Sequence, residues 1–570
     1  MARLFDEHIV RRVTSLNGAW SFCKDVEDIG RENGWSRALP SRETVTVPCV
    51  WNTKVGDVTY EGVAWYEKRF YTDGGCLRFV FDAVMTDATV YLDGEEICRH
   101  YGGFTQFERI VWDVASGYHT LSVRVDNRFD AQSIPQSRVD WYHYGGIVRG
   151  VRVETLSGLV ILSNRLEYTL SEDLRSLEGK VTAEVFNADC EPVRDTLCAT
   201  LSGTPIGQTE ISLAPHARMH VELPAFSMDE VALWGIGTPN LYELALFTSK
   251  DDLFDRVGFR RIEVGNKEIL LNGVSIELLG VNRHEEHPDW GFAFPIGLMQ
   301  KDLDLIEKMG CNAVRGSHYP NAKEFVDLLD ERGILFWSEI PIWGWGFSEE
   351  ALGDPVVVER GLAMHKEMVE QYYNHPSIVF WGMHNEIQLA TPAAYRMSEC
   401  YYNYLKENGG NRIVTYACDK PFEDVCLGFC DVIAINRYCG WYYDYEADAW
   451  ERFLERFTEY KNGVLGMAEK PIIMSEFGGA ALYGCHDDEG ILWSEENQAM
   501  QLSHMLEVFH RHPEVVGSYI WQFCDIRTCL EAGLNRARGF NNKGILNEYR
   551  KPKLAYRVAR EKYTAFSKEK

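Results

Sequence analysis

Apolar and polar residues alternate over short runs through the first part of the chain, for example at 120–125 and 180–185. This period of two predicts β-strands that bury one face. An Asp-Gly pair at 93–94 follows one run and is typical of a tight hairpin turn. The runs fall into two groups, residues 1–155 and 156–262, with the strand spacing of β-sandwiches. We therefore predict two β-sandwich domains, the second of immunoglobulin-like size.

The pattern changes from residue 263 onward, where apolar runs of four to eight residues alternate with amphipathic helical stretches. Eight such runs occur: Ile276–Val281, Ala313–Ser317, Leu335–Glu339, Ile378–His384, Ile413–Ala417, Val432–Asn436, Ile472–Ser475 and Val516–Trp521. Buried parallel strands that alternate with helices over this length build a (β/α)8 TIM barrel. The predicted fold class is thus multidomain β plus α/β, with the barrel at residues 263–570.

A glutamate follows closely behind the fourth and the seventh of these runs. Glu386 comes after Asn385 just beyond the fourth run, and Glu476 comes directly after the seventh run. The carboxyl ends of barrel strands form the catalytic face, so we expect both carboxyl groups to open on one pocket. Hydrolysis of a glycosidic bond requires such a pair of carboxyl groups. Glu386 and Glu476 are therefore our candidate catalytic residues, and structural ion pairs are the alternative.

Other polar and aromatic residues follow the predicted strands and are candidates for sugar contacts. His284 follows the first run, and a metal site shared with His287 is its alternative. The spacing of these histidines is not that of a helical zinc motif, which favours a hydrogen-bonding role. Asn436, Tyr438 and Tyr442 follow the sixth run, although an aromatic cluster is more often part of a core.

The charge of the chain restricts its ligands. The formal net charge is −27, which argues against binding to nucleic acid or to an anionic membrane surface. An acidic substrate would therefore need a local cation. Lys543, close to Asn541 in a polar loop after the last run, is the candidate for a carboxylate clamp, and a solvated loop is the alternative.

The fifteen cysteines are scattered without the paired spacing of a zinc site. They favour a reduced, cytoplasmic compartment. The first residues lack the apolar segment of a secretory signal, and no apolar run reaches the length that spans a bilayer. No nucleotide-binding glycine motif occurs either, so we expect neither a cofactor nor a metal ion.

Five motifs occur in one order along the chain: Gly280-Val281-Asn282-Arg283-His284-Glu285, Arg315-Gly316-Ser317-His318-Tyr319-Pro320, Asn385-Glu386, Asn436-Arg437-Tyr438-Cys439-Gly440-Trp441-Tyr442 and Ser475-Glu476-Phe477-Gly478. They resemble the motifs of glycoside hydrolase family 2, which contains β-galactosidases, β-mannosidases and β-glucuronidases. The resemblance covers nearly the whole chain. It implies that residues 1–155 form a sugar-binding, jelly-roll-like β-sandwich ahead of the immunoglobulin-like domain and the barrel.

Within the family, the pattern is most similar to the β-glucuronidases of gut bacteria. Their Asn-x-Lys signature, which holds the sugar carboxylate, matches Asn541 and Lys543, and an aspartate that contacts the 4-hydroxyl matches Asp140. By the same matching, Glu386 is the acid/base and Glu476 the nucleophile. The other residues implied to line the sugar site are His284, Asn385, Asn436, Tyr438, Tyr442 and Trp521.

The resemblance leaves one position open. The arginine on the carboxylate side of the site matches Arg536 or Arg538, because the stretch between Trp521 and Asn541 is slightly longer here. We expect a retaining exo-β-D-glucuronidase that acts on small-molecule glucuronides, with the homo-oligomerisation common in the family. A β-galacturonidase or β-galactosidase is the alternative within the family, and a non-catalytic carbohydrate-binding protein is the alternative from another class.

Overall fold

The computed structural model describes residues 7–136, 139–344, 346–530 and 536–569. Two β-sandwiches come first in the chain and a closed eight-stranded barrel follows them. Each of the three units has its own cluster of buried apolar side chains. The fold class predicted from the hydrophobic pattern is therefore confirmed.

The first sandwich packs a six-stranded antiparallel sheet against a four-stranded one. In spatial order the larger sheet contains Glu43–Val47, Gly18–Asp25, Val63–Thr72, Gly117–Asp126, Asp87–Leu92 and Glu95–Tyr101. The smaller sheet contains Arg12–Ser15, Val151–Leu156, Gly75–Phe81 and Phe107–Val114, and a short pair joins Val84–Met85 to Gly146–Ile147. Leu77, Phe79 and Phe81 alternate along one strand and are fully buried between the sheets, as a period of two requires.

The second sandwich consists of two four-stranded antiparallel sheets. One sheet contains Leu159–Leu170, Ser176–Asn187, Arg218–Glu222 and Phe226–Asp229. The other contains Thr204–Leu213, Val193–Leu201, Tyr242–Phe247 and Asp252–Val257. Val181, Ala183 and Val185 are buried while the residues between them are partly exposed, which is the alternation that predicted these strands.

Eight parallel strands close the barrel. They are Leu278–Asn282, Ala313–Gly316, Leu335–Glu339, Ile378–Asn385, Ile413–Cys418, Ile433–Asn436, Ile472–Phe477 and Val515–Ile520. All eight predicted runs are barrel strands. The first strand begins later than predicted, because Val274–Ile276 belongs to a separate three-stranded sheet with Ile262–Gly265 and Glu268–Leu271. Ile262, Ile269 and Leu271 of that sheet pack against the residues that begin the barrel strands.

The helices surround the barrel, and their apolar sides pack on its outer surface. Their bounds are Ile296–Met309, Lys323–Arg332, Glu349–Gly353, Pro355–Tyr372, Pro392–Asn408, Ala449–Glu459, Glu495–Arg511 and Leu554–Glu569. Gly310 ends the first of them with a φ of 87°, a left-handed conformation that glycine adopts without strain. Among the described residues, no helix combines the length and apolar character needed to cross a membrane.

The first sandwich contacts the end of the barrel where the strands finish. Arg149 of the sandwich donates hydrogen bonds to Glu285 (2.8 Å) and to the carbonyl oxygen of Pro320 (2.8 Å). Tyr144 donates to Glu286 over 2.7 Å. Because these partners follow the first and second barrel strands, residues of the sandwich lie beside the polar face of the barrel.

Candidate active site

Arg315, Tyr438 and Glu476 meet at the carboxyl ends of three barrel strands. Nη1 of Arg315 donates to Oε1 of Glu476 over 2.9 Å, and the Tyr438 hydroxyl donates to Oε2 over 2.8 Å. Arg315 is fully buried and Glu476 is 4% exposed. Each oxygen of the Glu476 carboxyl group is thus held by its own donor, which fixes the orientation of a group that would have to attack along one direction.

Glu386 follows the fourth strand and lies on the same face. Its backbone has a φ of 50°, which is uncommon for a residue other than glycine, and its amide donates to the carbonyl oxygen of Ala417 over 2.9 Å. Nδ2 of Asn436 donates to Oε1 of Glu386 (2.7 Å) and to Oδ1 of Asn385 (3.1 Å). The end of the sixth strand therefore holds Glu386 through Asn436, while Tyr438 of the same segment holds Glu476.

Burial raises the pKa values of both glutamates. The pKa of Glu386 lies well above its usual range, first because the group is desolvated and next because of the negative charges of Glu476 and Asp419. Burial raises the pKa of Glu476 to about 7, against the lowering effects of Arg315 and Tyr438. This difference in environment suits Glu386 to hold a proton and Glu476 to release one, which is the division of roles that an acid and a nucleophile need.

Lys543 lies at one side of this cluster and is 2% exposed. Its Nζ donates a hydrogen bond to the Tyr442 hydroxyl and faces the rings of Tyr442, Tyr438 and Trp441 at 4.5, 5.2 and 5.9 Å. Within the described part of the chain, no carboxylate lies within 4.0 Å of this ammonium. Desolvation lowers its pKa, so a bound anion would stabilise its charged form.

The first sandwich contributes Asp140 to the site. Both oxygens of its carboxyl group accept hydrogen bonds from Arg536 over 2.9 Å, and Oδ2 also accepts from Asn541 over 2.6 Å. Arg538 instead donates to Glu548 over 2.8 Å, and its side chain is 52% exposed. Of the two arginines that the sequence left undecided, Arg536 joins Asp140 and Arg538 faces another partner.

His284 and Trp521 both lie against the ring of His318. The His284 and Trp521 rings meet edge to face at 5.5 Å, and Nδ1 of His284 lies 3.2 Å from the Tyr319 hydroxyl. Nε2 of His284 and Nδ2 of Asn385 are buried without a hydrogen-bond partner in the described structure. Such buried polar atoms are rare in proteins, and here they offer contacts to a hydroxylated ligand.

Four residues next to this cluster have no site role predicted from the sequence. Glu339, at the end of the third strand, bonds to Arg315 and to His318. The His318 ring stacks on Trp521 at 5.1 Å, and Trp141 of the sandwich packs against His318 at 5.5 Å. Asn282 accepts from Arg315 over 3.1 Å. A strand-end carboxylate is the signal that could have found Glu339, whereas no local pattern distinguishes Trp141.

One group of potential metal ligands lies elsewhere in the described residues, formed by Asp327, Asp330 and His375. Its members already have partners, because His375 bonds to Asp330 over 2.6 Å and Arg256 pairs with Asp327 at 2.8 Å. The amide of Ser377 donates to the other oxygen of Asp330 over 2.9 Å. These contacts are those of a buried ion-pair network.

Comparison with known proteins gives one consistent picture. The model of the family "Glycosyl hydrolases family 2, TIM barrel domain" matches residues 262–568, and that of "Glycosyl hydrolases family 2, sugar binding domain" matches residues 13–156. A β-glucuronidase of Paenibacillus borealis is 27% identical over 97% of this chain and 97% of its own length.

Two solved structures resemble this chain over almost their full length. A family 2 β-galacturonidase from Eisenbergiella tayi, bound to galacturonate, has a TM-score of 0.91 and 32% identity over 99% of both chains. A β-glucuronidase of Ruminococcus gnavus has a TM-score of 0.88 and 27% identity over 97% of this chain and 98% of its own.

Proposed function

Because the chain belongs to the glycosyl hydrolases of family 2, we propose that it is a retaining exo-β-D-glucuronidase. The comparisons with β-glucuronidases support both the hydrolase activity and β-D-glucuronides as its substrates. Lys543 is the observation that carries the proposal, since a buried ammonium without a carboxylate partner in the described chain suits the 6-carboxylate of a uronic acid. A β-galactoside lacks this carboxylate, which disfavours the β-galactosidase alternative.

In the proposed first step, Glu476 attacks the anomeric carbon while Glu386 protonates the leaving oxygen. The bond between the anomeric carbon and that oxygen breaks, and a covalent glycosyl-enzyme ester forms on Glu476. The hydrogen bonds from Arg315 and Tyr438 hold the attacking carboxylate during this step. The aglycone leaves with the proton that Glu386 supplied.

In the second step, Glu386 acts as the base. It takes a proton from a water molecule, whose oxygen attacks the anomeric carbon and releases Glu476. Two displacements at the same carbon retain its configuration, so β-D-glucuronate is the first product. Asn385, Asn436, His284 and Trp521 are proposed to hold the sugar ring during both steps.

A β-galacturonidase is the second candidate, because the E. tayi enzyme has a higher sequence identity to this chain than the R. gnavus enzyme has. Both uronic acids carry the 6-carboxylate, so Lys543 and Asn541 would serve either sugar. The two differ at the 4-hydroxyl, for which we propose the Asp140 and Arg536 pair as the contact. The orientation of the 4-hydroxyl that Asp140 and Arg536 prefer would decide whether the protein acts better on glucuronides or on galacturonides.

The test is a panel of p-nitrophenyl β-D-glucuronide, β-D-galacturonide and β-D-galactoside, compared by kcat/KM on the purified protein. We expect the glucuronide to be the best substrate and the galactoside the poorest. A higher kcat/KM for the galacturonide would replace the first proposal by the second. Binding of a glucuronide without turnover, unchanged in Glu476→Gln, would instead support a carbohydrate-binding protein.

Three further properties belong to the proposal. We propose domain limits at residues 1–155, 156–262 and 263–570, which are supported by the strand that ends at Leu156 and the sheet that begins at Ile262. A cytoplasmic location is supported by fifteen free thiols. We also propose homo-oligomerisation, which is supported by the family resemblance, and light scattering of the purified protein would measure it.

A further inference from the structure

Glu339 ends the third barrel strand and is fully buried, yet the proposed reaction has given it no role. Its two oxygens accept from Nε and Nη2 of Arg315 over 3.0 and 2.9 Å. Oε1 also lies 2.7 Å from Nδ1 of His318. A carboxylate can only accept, so Nδ1 of His318 carries the proton of this contact.

Arg315 connects Glu339 to the residues of the proposed catalytic site through hydrogen bonds. The two hydrogen bonds that Arg315 donates to Glu339 fix the plane of the guanidinium group, as two-point contacts between arginine and carboxylates do. In that plane, Nη1 points at Oε1 of Glu476 (2.9 Å) and Nη2 at Oδ1 of Asn385 (2.7 Å). His318 lies on the same side, with its Nε2 3.8 Å from Oε1 of Glu476.

The charges around Arg315 also favour a positioning role for Glu339. The cation of Arg315 lies between two carboxyl groups, and Glu339 offsets part of the positive charge that Glu476 would otherwise experience. A nucleophile beside an uncompensated guanidinium group would be held as a weaker base. We propose that Glu339 is a positioning residue, which aims Arg315 at the nucleophile, holds the ring of His318 beside it and moderates the charge acting on it. This inference rests on the proposed function.

Several other titratable groups surround Glu339 and Glu476. Arg315 and His318 approach both carboxyl groups, while Tyr438 donates to Glu476 and Glu386 interacts with it through its charge. His284 and Tyr519 interact with Arg315. Burial raises the pKa of Glu476, Arg315 lowers it and the negative charge of Glu339 raises it. Removing only the charge of Glu339 should therefore lower the pKa of Glu476, while the surrounding groups remain in place.

Two variants separate the effect of the negative charge of Glu339 from the effect of its side-chain length. Glu339→Gln keeps the length but removes the charge, and Glu339→Asp keeps the charge but shortens the side chain. We expect Gln to move the acidic limb of kcat/KM against pH downward by about one unit, the scale of the effect of a nearby charge. We expect Asp to leave the limb in place and to lower kcat roughly 10- to 100-fold, since loss of alignment costs about this much.

The profile is measured with p-nitrophenyl β-D-glucuronide, and kcat/KM reports the pKa values of the free enzyme. A wild-type acidic limb in Glu339→Gln, or an equal shift in both variants, would overturn the inference. Should Glu339→Gln fail to fold, Glu339→Asp still decides, because a wild-type kcat in that variant contradicts a positioning role.

Asp330→Asn is the matched control for general destabilisation. Asp330 is also a buried carboxylate, but it bonds to His375 and to the amide of Ser377, away from the catalytic residues. We expect this variant to lose thermal stability and to keep the wild-type acidic limb. If the wild-type protein hydrolyses no uronide, the proposed function fails. If it does, and the limb of Glu339→Gln is unmoved, only the inference about Glu339 fails.

Discussion

Replacing Lys543 with methionine removes a buried ammonium and keeps most of the volume of its side chain. In the structure this ammonium is surrounded by the aromatic rings of Tyr438, Trp441 and Tyr442 and donates a hydrogen bond to the Tyr442 hydroxyl. A bound uronate would place its carboxylate against this group in a desolvated position. The Lys543→Met variant would leave that carboxylate without its charge partner.

The magnitude follows from the cost of an unpaired charge at a buried contact. Truncating one partner of a buried, hydrogen-bonded charge pair costs about 2–5 kcal/mol. Since about 1.4 kcal/mol corresponds to a factor of ten, kcat/KM for a glucuronide should fall roughly 30- to 4,000-fold. A β-D-glucoside has a neutral hydroxymethyl group instead, so its hydrolysis should fall much less or increase.

The assay compares kcat/KM for p-nitrophenyl β-D-glucuronide and β-D-glucoside in the wild type and in Lys543→Met. Lys461→Met is the matched control, because Lys461 is equally buried but pairs with Glu514 at 2.8 Å, outside the site. We expect the control to lose stability and to keep the wild-type ratio of the two substrates. An unchanged ratio in Lys543→Met, whatever its total activity, would refute the assignment of Lys543 as the carboxylate clamp.

Glu386→Ala should lower kcat roughly 10²- to 10⁴-fold, the usual contribution of a general acid, and azide should restore turnover of the p-nitrophenyl substrate; no rescue would argue against an acid/base role. The wild-type kcat/KM should rise as pH increases through about 7, where Glu476 ionises, and fall at higher pH, where Glu386 loses its proton; a rate that falls throughout this range would contradict these roles. Arg536→Leu should change the ratio of kcat/KM for the glucuronide to kcat/KM for the galacturonide, whereas Arg538→Leu should leave this ratio unchanged. Equal effects of the two variants in the substrate panel would count against Asp140 and Arg536 as the 4-hydroxyl contact.

The catalytic pair shows what local sequence can reveal. Glu386 and Glu476 each follow a short apolar run, and a strand end in a barrel always lies on the same face. The hydrogen-bond network around these two residues cannot be read from local sequence in the same way. The contact between Glu339 and Arg315 depends on the packing of two neighbouring strands, which the local sequence of either strand does not show.

The sequence by itself determined the three units, the eight barrel strands and the two carboxylates, because hydrophobic periodicity records which face of each element is buried. Only the tertiary structure shows that Arg536, and not Arg538, bonds to Asp140, which belongs to a different domain almost 400 residues away along the chain. It also decided that Lys543 is buried among aromatic rings, although its loop resembles a solvated one in sequence. Contacts between distant segments arise from how the units dock, and no local pattern of residues encodes that docking.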